Sequence, residues 1–355
     1  MLIVDDSAFM RKLLTDILKS EPSIDVVGTA RNGIDALKKI RELRPDVVTL
    51  DIEMPVMDGL TTLQRIMQEY PLPVIIVSSL TQKDAEITIQ ALQQGAVDFI
   101  AKPSGKISSF FADVKEELVS KIKTAASIDI SKAVAPSPLP TFTKPLYNSN
   151  VSFSSNVQKQ TKKKLVLIGT STGGPQALQA VLPKLPKNIP AAILIVQHMP
   201  AGFTKSLANR LDQISEIYVK EAEDGEPAVD GTAYIAPGDY HMVIEPSQDK
   251  ELLLRLTKEE PVNGHRPSVD VLMKSAAKID GCELIGVIMT GMGYDGREGV
   301  RALKEKGAKV IAQDASTSVV FGMPKAIIEA KLADYIVPLP LIGHEIRRLV
   351  EQKEN

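Results

Sequence analysis

Short apolar runs alternate with amphipathic stretches along the first third of the chain, from Met1 to about Lys123. Leu2–Val4 is a predicted strand, and further apolar runs follow at 46–50, 74–77 and 98–101. The stretch after the first strand places apolar side chains on one face of a predicted helix, at Met10, Leu13, Leu14, Ile17 and Leu18. Strands that alternate with helices in this way predict a doubly wound parallel sheet.

Polar side chains follow these apolar runs at the points where the strands end. Asp5 and Asp6 follow the first run, and the later runs end at Asp51, Ser78 and Lys102. Because the carboxyl ends of parallel strands meet at one edge of a sheet, we expect these side chains to lie close together. Three carboxylates repel one another unless a cation lies between them, and such hard oxygen ligands suit Mg²⁺. The sequence therefore predicts a magnesium site at Asp5, Asp6 and Asp51.

The same cluster is suited to phosphoryl transfer. Asp51 is placed to attack a phosphoryl donor in line, with Mg²⁺ and Lys102 neutralising the equatorial oxygens. Ser78 is placed to donate a hydrogen bond to the new phosphoryl group. A single Asp here has a plainer interpretation as a helix cap or a solvated loop residue, but five such residues at the ends of four strands favour a site.

The composition changes between about 126 and 163, where no periodicity is left. Pro, Ser and Asn accumulate, with prolines at Pro136, Pro138, Pro140 and Pro145. This composition is typical of a flexible linker. We therefore expect a first domain at 1–125, a linker at 126–163 and a second α/β domain at 164–355.

A strand, a tight turn and a helix open the second domain. Four apolar residues, 165–168, lead into Gly169-Thr-Ser-Thr-Gly-Gly-Pro175, so a hydroxyl group lies at the carboxyl end of a strand and next to a helix N-terminus. Two later apolar strands, 191–196 and 284–289, run into His198 and Asp295. Ser171, His198 and Asp295 are therefore predicted to converge at one sheet edge as a hydrolytic triad.

Each member of this triad has a structural alternative. Ser171 or Thr172 could cap the helix that Pro175 begins, and Asp295 with Glu298 fits a capping box. The glycine-rich turn could also bind phosphate, although it lacks the lysine of a P-loop. His241, His265 and His344 are competing bases, but none of them follows a buried strand as His198 does.

Composition and charge narrow the range of possible partners and locations. The 355 residues suffice for two domains, and a formal net charge of -2 gives no indication of a nucleic-acid partner. The single cysteine, Cys282, excludes an internal disulfide, and no apolar run is long enough to span a membrane. We therefore expect a cytoplasmic protein without direct membrane insertion.

The first domain resembles the receiver domain of two-component response regulators, through Asp5-Asp6-Ser7, Asp51 with Met54-Pro55, Met57-Asp58-Gly59, Ser78-Ser79 and Lys102-Pro103. The resemblance implies a flavodoxin-like fold, Asp51 as phosphoacceptor, Asp5, Asp6 and Asp51 as the metal site, and Ser78 and Lys102 as phosphoryl contacts. Receivers usually have more residues before the first acidic pair than the four present here. We therefore expect a weakly anchored first strand.

The second domain resembles chemotaxis protein-glutamate methylesterases, through the motifs at 168–175, 197–200, 265–272 and 289–296. The resemblance implies a Rossmann-like domain in which Ser171 is the nucleophile, His198 the base and Asp295 its orienting partner. It also implies an oxyanion hole from backbone N–H groups near Thr172 and Met292, and no cofactor for the esterase.

The same resemblance implies the substrate and its regulation. The expected substrate is a methylated glutamate of a chemoreceptor, with methanol released, and a receptor glutamine would lose ammonia by the same acyl chemistry. Phosphorylation of Asp51 by a chemotaxis histidine kinase would relieve a receiver that packs over the active-site edge. The alternative is a receiver-linked adaptor without catalysis.

Overall fold

The computed structural model describes residues 1–102, 107–130 and 162–352. These residues form two separate parallel sheets with helices between their strands, and one two-stranded antiparallel hairpin. The predicted linker at 126–163 lies largely outside them, as does Pro103. None of the helices in these three ranges is long and apolar enough to cross a membrane.

The first sheet has five parallel strands in the order β2-β1-β3-β4-β5. Its elements are β1 (Leu2–Val4), α1 (Ala8–Lys19), β2 (Gly28–Ala30), α2 (Gly33–Leu43), β3 (Val48–Asp51), α3 (Gly59–Glu69), β4 (Val74–Ser78), α4 (Gln82–Gln93), β5 (Asp98–Ala101) and α5 (Ile107–Ala126). This strand order is that of flavodoxin-like folds, so the predicted fold of the first domain is confirmed.

The first strand is firmly held in this sheet. Leu2, Ile3 and Val4 are almost completely buried, and β1 pairs with β2 on one side and with β3 on the other. The terminal ammonium of Met1 donates a hydrogen bond of 2.6 Å to the carbonyl of Asp25. The expectation of a weakly anchored first strand is therefore wrong, because a central strand gains ladder hydrogen bonds on both edges.

The second sheet has seven parallel strands in the order β14-β13-β12-β6-β7-β9-β8. Its elements, with the hairpin of β10 and β11, are β6 (Lys163–Thr170), α6 (Gly174–Val181), a 3₁₀ turn (Leu182–Lys184), β7 (Ala192–Gln197), α7 (Phe203–Ile214), β8 (Tyr218–Glu221), β9 (Thr232–Ile235), β10 (His241–Pro246), β11 (Leu252–Thr257), α8 (Val269–Ala276), β12 (Cys282–Ile288), α9 (Arg297–Glu305), β13 (Lys309–Gln313), α10 (Met323–Glu329), β14 (Tyr335–Val337) and α11 (Leu339–Glu351).

The strand order of this sheet explains where a site can form. The chain passes from β6 to β7 on one side, whereas β12 pairs with the opposite edge of β6. In parallel sheets a crevice opens at the carboxyl ends of the strands where the order reverses in this way. The three strands that precede Ser171, His198 and Asp295 are the three at this point, so their carboxyl ends lie side by side.

Candidate active site

The turn after β6 presents Ser171 without using it as a helix cap. The N-cap of α6 is Gly173, and no side chain caps the helix. Gly173 has φ +78°, and a Cβ there would lie 2.7 Å from the Cβ of Val319, so the tight turn requires a glycine. The helix-cap alternative for Ser171 and Thr172 is therefore wrong, and the half-buried Ser171 hydroxyl makes no hydrogen bond within the described ranges.

Strand register places His198 beside this turn. Thr170 of β6 pairs with Gln197 of β7, so the residues that follow them, Ser171 and His198, leave neighbouring strand ends at the same level. The backbone N–H of His198 donates a 3.1 Å hydrogen bond to the carbonyl of Thr170. The nucleophile candidate and the base candidate are thus held by the same pair of strands.

Gln197 holds the two strand ends together, a role that the motif at 197–200 did not predict. Its side-chain N–H groups donate to the carbonyls of Ser171 and His198, both at 3.0 Å, and its Oε1 accepts from the Thr170 hydroxyl at 2.7 Å. Gln197 is 2 % exposed. The sequence signals for Gln197 are its place in the motif at 197–200 and a polar side chain at the last position of an otherwise apolar strand.

His198 is paired with Asp295. Nε2 of His198 lies 2.8 Å from Oδ2 of Asp295, and both side chains are buried. Nδ1 of His198 is buried too, and it has no hydrogen-bond partner in the part of the chain that the structure describes. Asp295 thus occupies one ring nitrogen and leaves the other for a proton donor such as a serine hydroxyl.

Asp295 is held as an anion by the start of α8. The Ser268 hydroxyl donates to its Oδ1 at 2.9 Å, and the backbone N–H groups of Val269 and Asp270 donate to its carboxylate at 2.7 and 3.2 Å. Burial alone would raise the pKa of Asp295, but His198 and these donors outweigh it and lower the pKa to about 2. The capping-box alternative is wrong, since the N-cap of α9 is Gly296 and no side chain caps that helix.

The backbone turns that contain Thr172 and Met292, the predicted oxyanion residues, lie close to Ser171. The N–H of Ser171 donates to the carbonyl of Thr290 at 3.1 Å, and the Thr290 hydroxyl donates to the carbonyl of Thr172 at 2.9 Å. A Cβ on Gly291 would lie 2.8 Å from the Cβ of Ser171, so only glycine allows this close approach. The N–H groups of Thr172 and Met292 donate no hydrogen bond within 1–102, 107–130 and 162–352, which leaves them available.

The competing histidines have other surroundings. His241 is fully buried, and its Nδ1 accepts from the Ser268 N–H while its Nε2 bonds the carbonyl of Glu260, which is a structural role. His344 lies exposed on α11. His265 stacks face to face on His198, with ring centroids 3.9 Å apart, a contact that no spacing in the sequence predicts.

The first domain brings its own predicted residues together. Ligand oxygens of Asp5, Asp6 and Asp51 lie within 4.8 Å of one another. Lys102 Nζ is 2.8 Å from Oδ2 of Asp51 and 3.2 Å from Oδ2 of Asp5. Burial raises the pKa of Asp51 to about 6 against the opposing effect of Lys102. An acidic cluster with this excess of negative charge is compatible with Mg²⁺.

Ser78 is held by α4. It is buried, and its hydroxyl accepts a 2.8 Å hydrogen bond from the hydroxyl of Thr88 on α4. Its own proton is donated to the carbonyl of Ser79 at 3.3 Å. The predicted phosphoryl contact is therefore in place at the strand end but engaged with a neighbouring helix.

The first domain touches the turn that carries Ser171. The hydroxyl of Thr172 donates to Oδ2 of Asp98 at 2.5 Å, and the sulfur of Met292 accepts from the hydroxyls of Ser120 and Thr124 on α5. Gln176 donates to two carbonyls at the end of α4. Both predicted oxyanion residues are thus held through their side chains by the first domain.

Comparisons with known proteins agree with this arrangement. Residues 166–346 match the family model described as CheB methylesterase, and residues 1–110 match that of the response regulator receiver domain. A protein of Halalkalibacterium halodurans named protein-glutamate methylesterase/protein-glutamine glutaminase is 53% identical over 347 residues, which cover 98% of this chain and 97% of that protein. A protein of Geobacillus kaustophilus with the same name is 52% identical over 350 residues, which cover 98% of each.

One solved structure extends the likeness to the fold. The crystal structure of the CheB methylesterase catalytic domain of Thermotoga maritima is 50% identical to the matched part, with a TM-score of 0.51. The match covers 53% of this chain and 99% of the chain in that crystal structure. The second domain is therefore similar in fold to a methylesterase catalytic domain.

Proposed function

The chain belongs to the CheB methylesterase family and carries a response regulator receiver domain, and from this premise we propose how it works as a protein-glutamate methylesterase and protein-glutamine glutaminase. We assign the receiver to 1–125, the linker to 126–163 and the catalytic domain to 164–355. The observation that carries the proposal is the buried pair of His198 and Asp295 beside the Ser171 turn.

Ser171, His198 and Asp295 perform the hydrolysis. Asp295 accepts the Nε2 proton of His198, which leaves Nδ1 as the base for the Ser171 hydroxyl. Ser171 Oγ bonds the ester carbonyl carbon, and His198 returns the proton to the departing methoxy oxygen, so methanol leaves. Water then attacks the acyl-enzyme with His198 as base, and the free glutamate carboxylate is released. A glutamine side chain reacts in the same way and releases ammonia.

The backbone N–H groups of Thr172 and Met292 stabilise the oxyanion. They flank Ser171 from two different turns, and neither donates a hydrogen bond to any residue that the structure describes. Loss of one such donor costs roughly a hundred- to thousandfold in rate. The glycines that let these turns approach Ser171, Gly173 and Gly291, are therefore part of the catalytic design.

The substrates are methylated glutamates and glutamines on chemoreceptors, and the phosphodonor is a chemotaxis histidine kinase in the cytoplasm. The transferred phosphoryl group is accepted by Asp51. Asp5, Asp6 and Asp51 are the residues that would hold Mg²⁺, whose charge offsets that of the phosphoryl oxygens. Lys102 already lies between Asp5 and Asp51, and it would stay as a contact for the phosphoryl group.

The unphosphorylated receiver represses the catalytic domain by packing on the Ser171 turn. The path from Asp51 to that surface runs through Ser78 and Thr88, because Thr88 belongs to α4 and α4 packs against α6 and α7. A phosphoryl group that draws the Ser78 hydroxyl toward Asp51 breaks its bond with Thr88. The packing of α4 on the catalytic domain is then weakened, and the receptor can enter.

Replacement of Ser171 by Ala tests the enzymatic function against the adaptor alternative. We expect methanol release from methylated receptor membranes to fall by roughly 10³-fold or more, because the nucleophile is lost. Receptor binding, measured by co-sedimentation with the same membranes, should stay unchanged. An adaptor would instead show no methanol release in the parent protein.

A further inference from the structure

His265 lies flat against the ring of His198. The ring centroids are 3.9 Å apart and the two planes are inclined by 13°. Neither ring nitrogen of His265 makes a hydrogen bond within the described part of the chain. The ring is therefore available to His198 as an aromatic face and not as a hydrogen-bonding group.

The backbone around His265 fixes this ring. The N–H of His265 donates to the carbonyl of Val262, and the carbonyl of His265 accepts from the N–H of Val262, both at 3.0 Å. The next residue, Arg266, donates to the Asp239 carboxylate through Nε at 3.1 Å and to the carbonyl of Glu259 at 3.0 Å. These contacts position the ring independently of any side-chain hydrogen bond of His265.

The segment that supplies His265 also holds Asp295. Asn263 Nδ2 lies 3.4 Å from Oδ1 of Asp295, and Ser268 and Val269 donate to the same carboxylate. One short stretch, 263–270, therefore holds the Asp295 carboxylate that bonds Nε2 of His198. The same stretch supplies the His265 ring on which the His198 ring lies.

Burial favours a neutral His265, and of the charges around it only Asp295 opposes this by raising its pKa. Asp295 and Lys121 of α5 lie near it, and Asp270 lies near Asp295. Burial, together with His198 and Lys121, lowers the pKa of His265 to about 4. Near neutral pH the face that His265 presents to His198 is thus an uncharged π system, which attracts a cation.

We propose that His265 is a positioning residue for the hydrolysis: its ring holds the His198 imidazole between Ser171 and Asp295 and stabilises the imidazolium that forms when the Ser171 proton is taken. The inference rests on the proposed function. It adds a residue that never bonds the substrate and acts only through His198.

The test compares His265→Phe with His265→Leu in the full-length protein. The two side chains are apolar and fill the site, but only Phe keeps an aromatic face. The probe is a small p-nitrophenyl alkylphosphonate, whose phosphorus bonds Ser171 Oγ as p-nitrophenolate leaves and His198 takes the proton. Intact mass gives the labelling rate between about pH 5 and pH 9, and Ser171→Ala provides the blank. Both variants carry the same receiver domain, so any effect of pH on the receiver changes their labelling rates equally.

We expect the probe to label His265→Phe at a rate within about threefold of the parent rate. It should label His265→Leu about 3- to 10-fold more slowly, because a factor of this size corresponds to the free energy of a cation–π contact. The acid limb of the His265→Leu profile should have its midpoint at lower pH, because the protonated form of His198 has lost its aromatic partner. A ring that only filled space would leave this midpoint unchanged.

Equal plateau rates and equal midpoints in the two folded variants would overturn the proposal. Thermal unfolding checks that both are folded, and His265→Met replaces the Leu variant if that one does not fold. Methanol release from receptor membranes is measured in parallel with the parent protein. Labelling of Ser171 without methanol release would refute the proposed function and leave the result on His265 intact.

Discussion

Asp295 shows how a buried charge is maintained for catalysis. The carboxylate is 2 % exposed, and a buried anion without partners would take up a proton or destabilise the fold. Ser268, Val269 and His198 donate to it, so its pKa is lowered from 3.8 to about 2. The group that orients His198 is therefore ionised over the whole physiological pH range.

Replacement of Asp295 by Asn should reduce both activity and stability. The rate of methanol release should fall by about 10³- to 10⁴-fold, because an amide no longer selects the His198 tautomer. A pKa lowered to about 2 stabilises the fold above about pH 4 by about 2 kcal/mol, and this contribution is lost as the pH falls toward 2. Urea unfolding at neutral and at acid pH measures the difference between variant and parent.

Ser171→Ala is the matched control, because its hydroxyl makes no hydrogen bond within the described ranges and its loss should leave stability unchanged. A stability difference for Asp295→Asn that stayed constant down to about pH 2 would contradict the assigned ionisation.

At the scale of elements, sequence patterns predicted the framework of the site. Apolar runs ending in polar residues located β6, β7 and β12. A buried parallel strand has a strong signal because both of its faces are apolar. The ends of such strands locate the site in turn, because they share an edge.

The contacts between elements were not predictable in this way. The hairpin of β10 and β11 was missed, and the stacking of His265 on His198 depends on how the 263–270 segment lies over the sheet edge. The role of Gln197 was not predicted because the three hydrogen bonds of its side chain depend on the register of β6 and β7. Such contacts join residues far apart in sequence, and no local periodicity encodes them.

Helix α6 is fastened to the end of α4 by one side chain. Gln176 Nε2 donates to the carbonyls of Leu92 and Ala96, both at 2.8 Å. The Leu92 carbonyl lies in the last turn of α4, where it also accepts from the N–H of Gly95 at 3.3 Å, and Ala96 lies just beyond the helix. The contact joins the catalytic domain to the receiver.

Replacement of Gln176 by Ala should loosen this contact and raise the activity of the unphosphorylated protein. Two hydrogen bonds contribute about 1–2 kcal/mol, which corresponds to an increase of about 5- to 30-fold. Methanol release without phosphodonor measures the change, and release at full phosphorylation should match the parent. Gln82→Ala, at the exposed start of α4, is the matched control. Identical basal release from both variants would show that Gln176 does not hold the repressed state.

At the scale of the whole molecule, the receiver uses two different regions. The edge with Asp51 lies at the carboxyl ends of its strands, whereas α4, β5 and α5 contact the catalytic domain. Phe99 of β5 packs on Phe203 of α7 with ring centroids 4.4 Å apart. Under the proposed function, phosphorylation and repression would therefore occur at separate places, and the hydrogen bond between Ser78 and Thr88 joins the first of them to α4.

The most direct test of this account is methanol release from methylated receptor membranes by the full-length protein, before and after a small acyl phosphate is added with Mg²⁺. We expect low release before and a clear increase afterwards, with no increase for Asp51→Asn or when Mg²⁺ is chelated, because Asp51 and the acidic cluster receive the phosphoryl group. Release that is equally fast in both states, or that increases equally in Asp51→Asn, would contradict repression by the receiver.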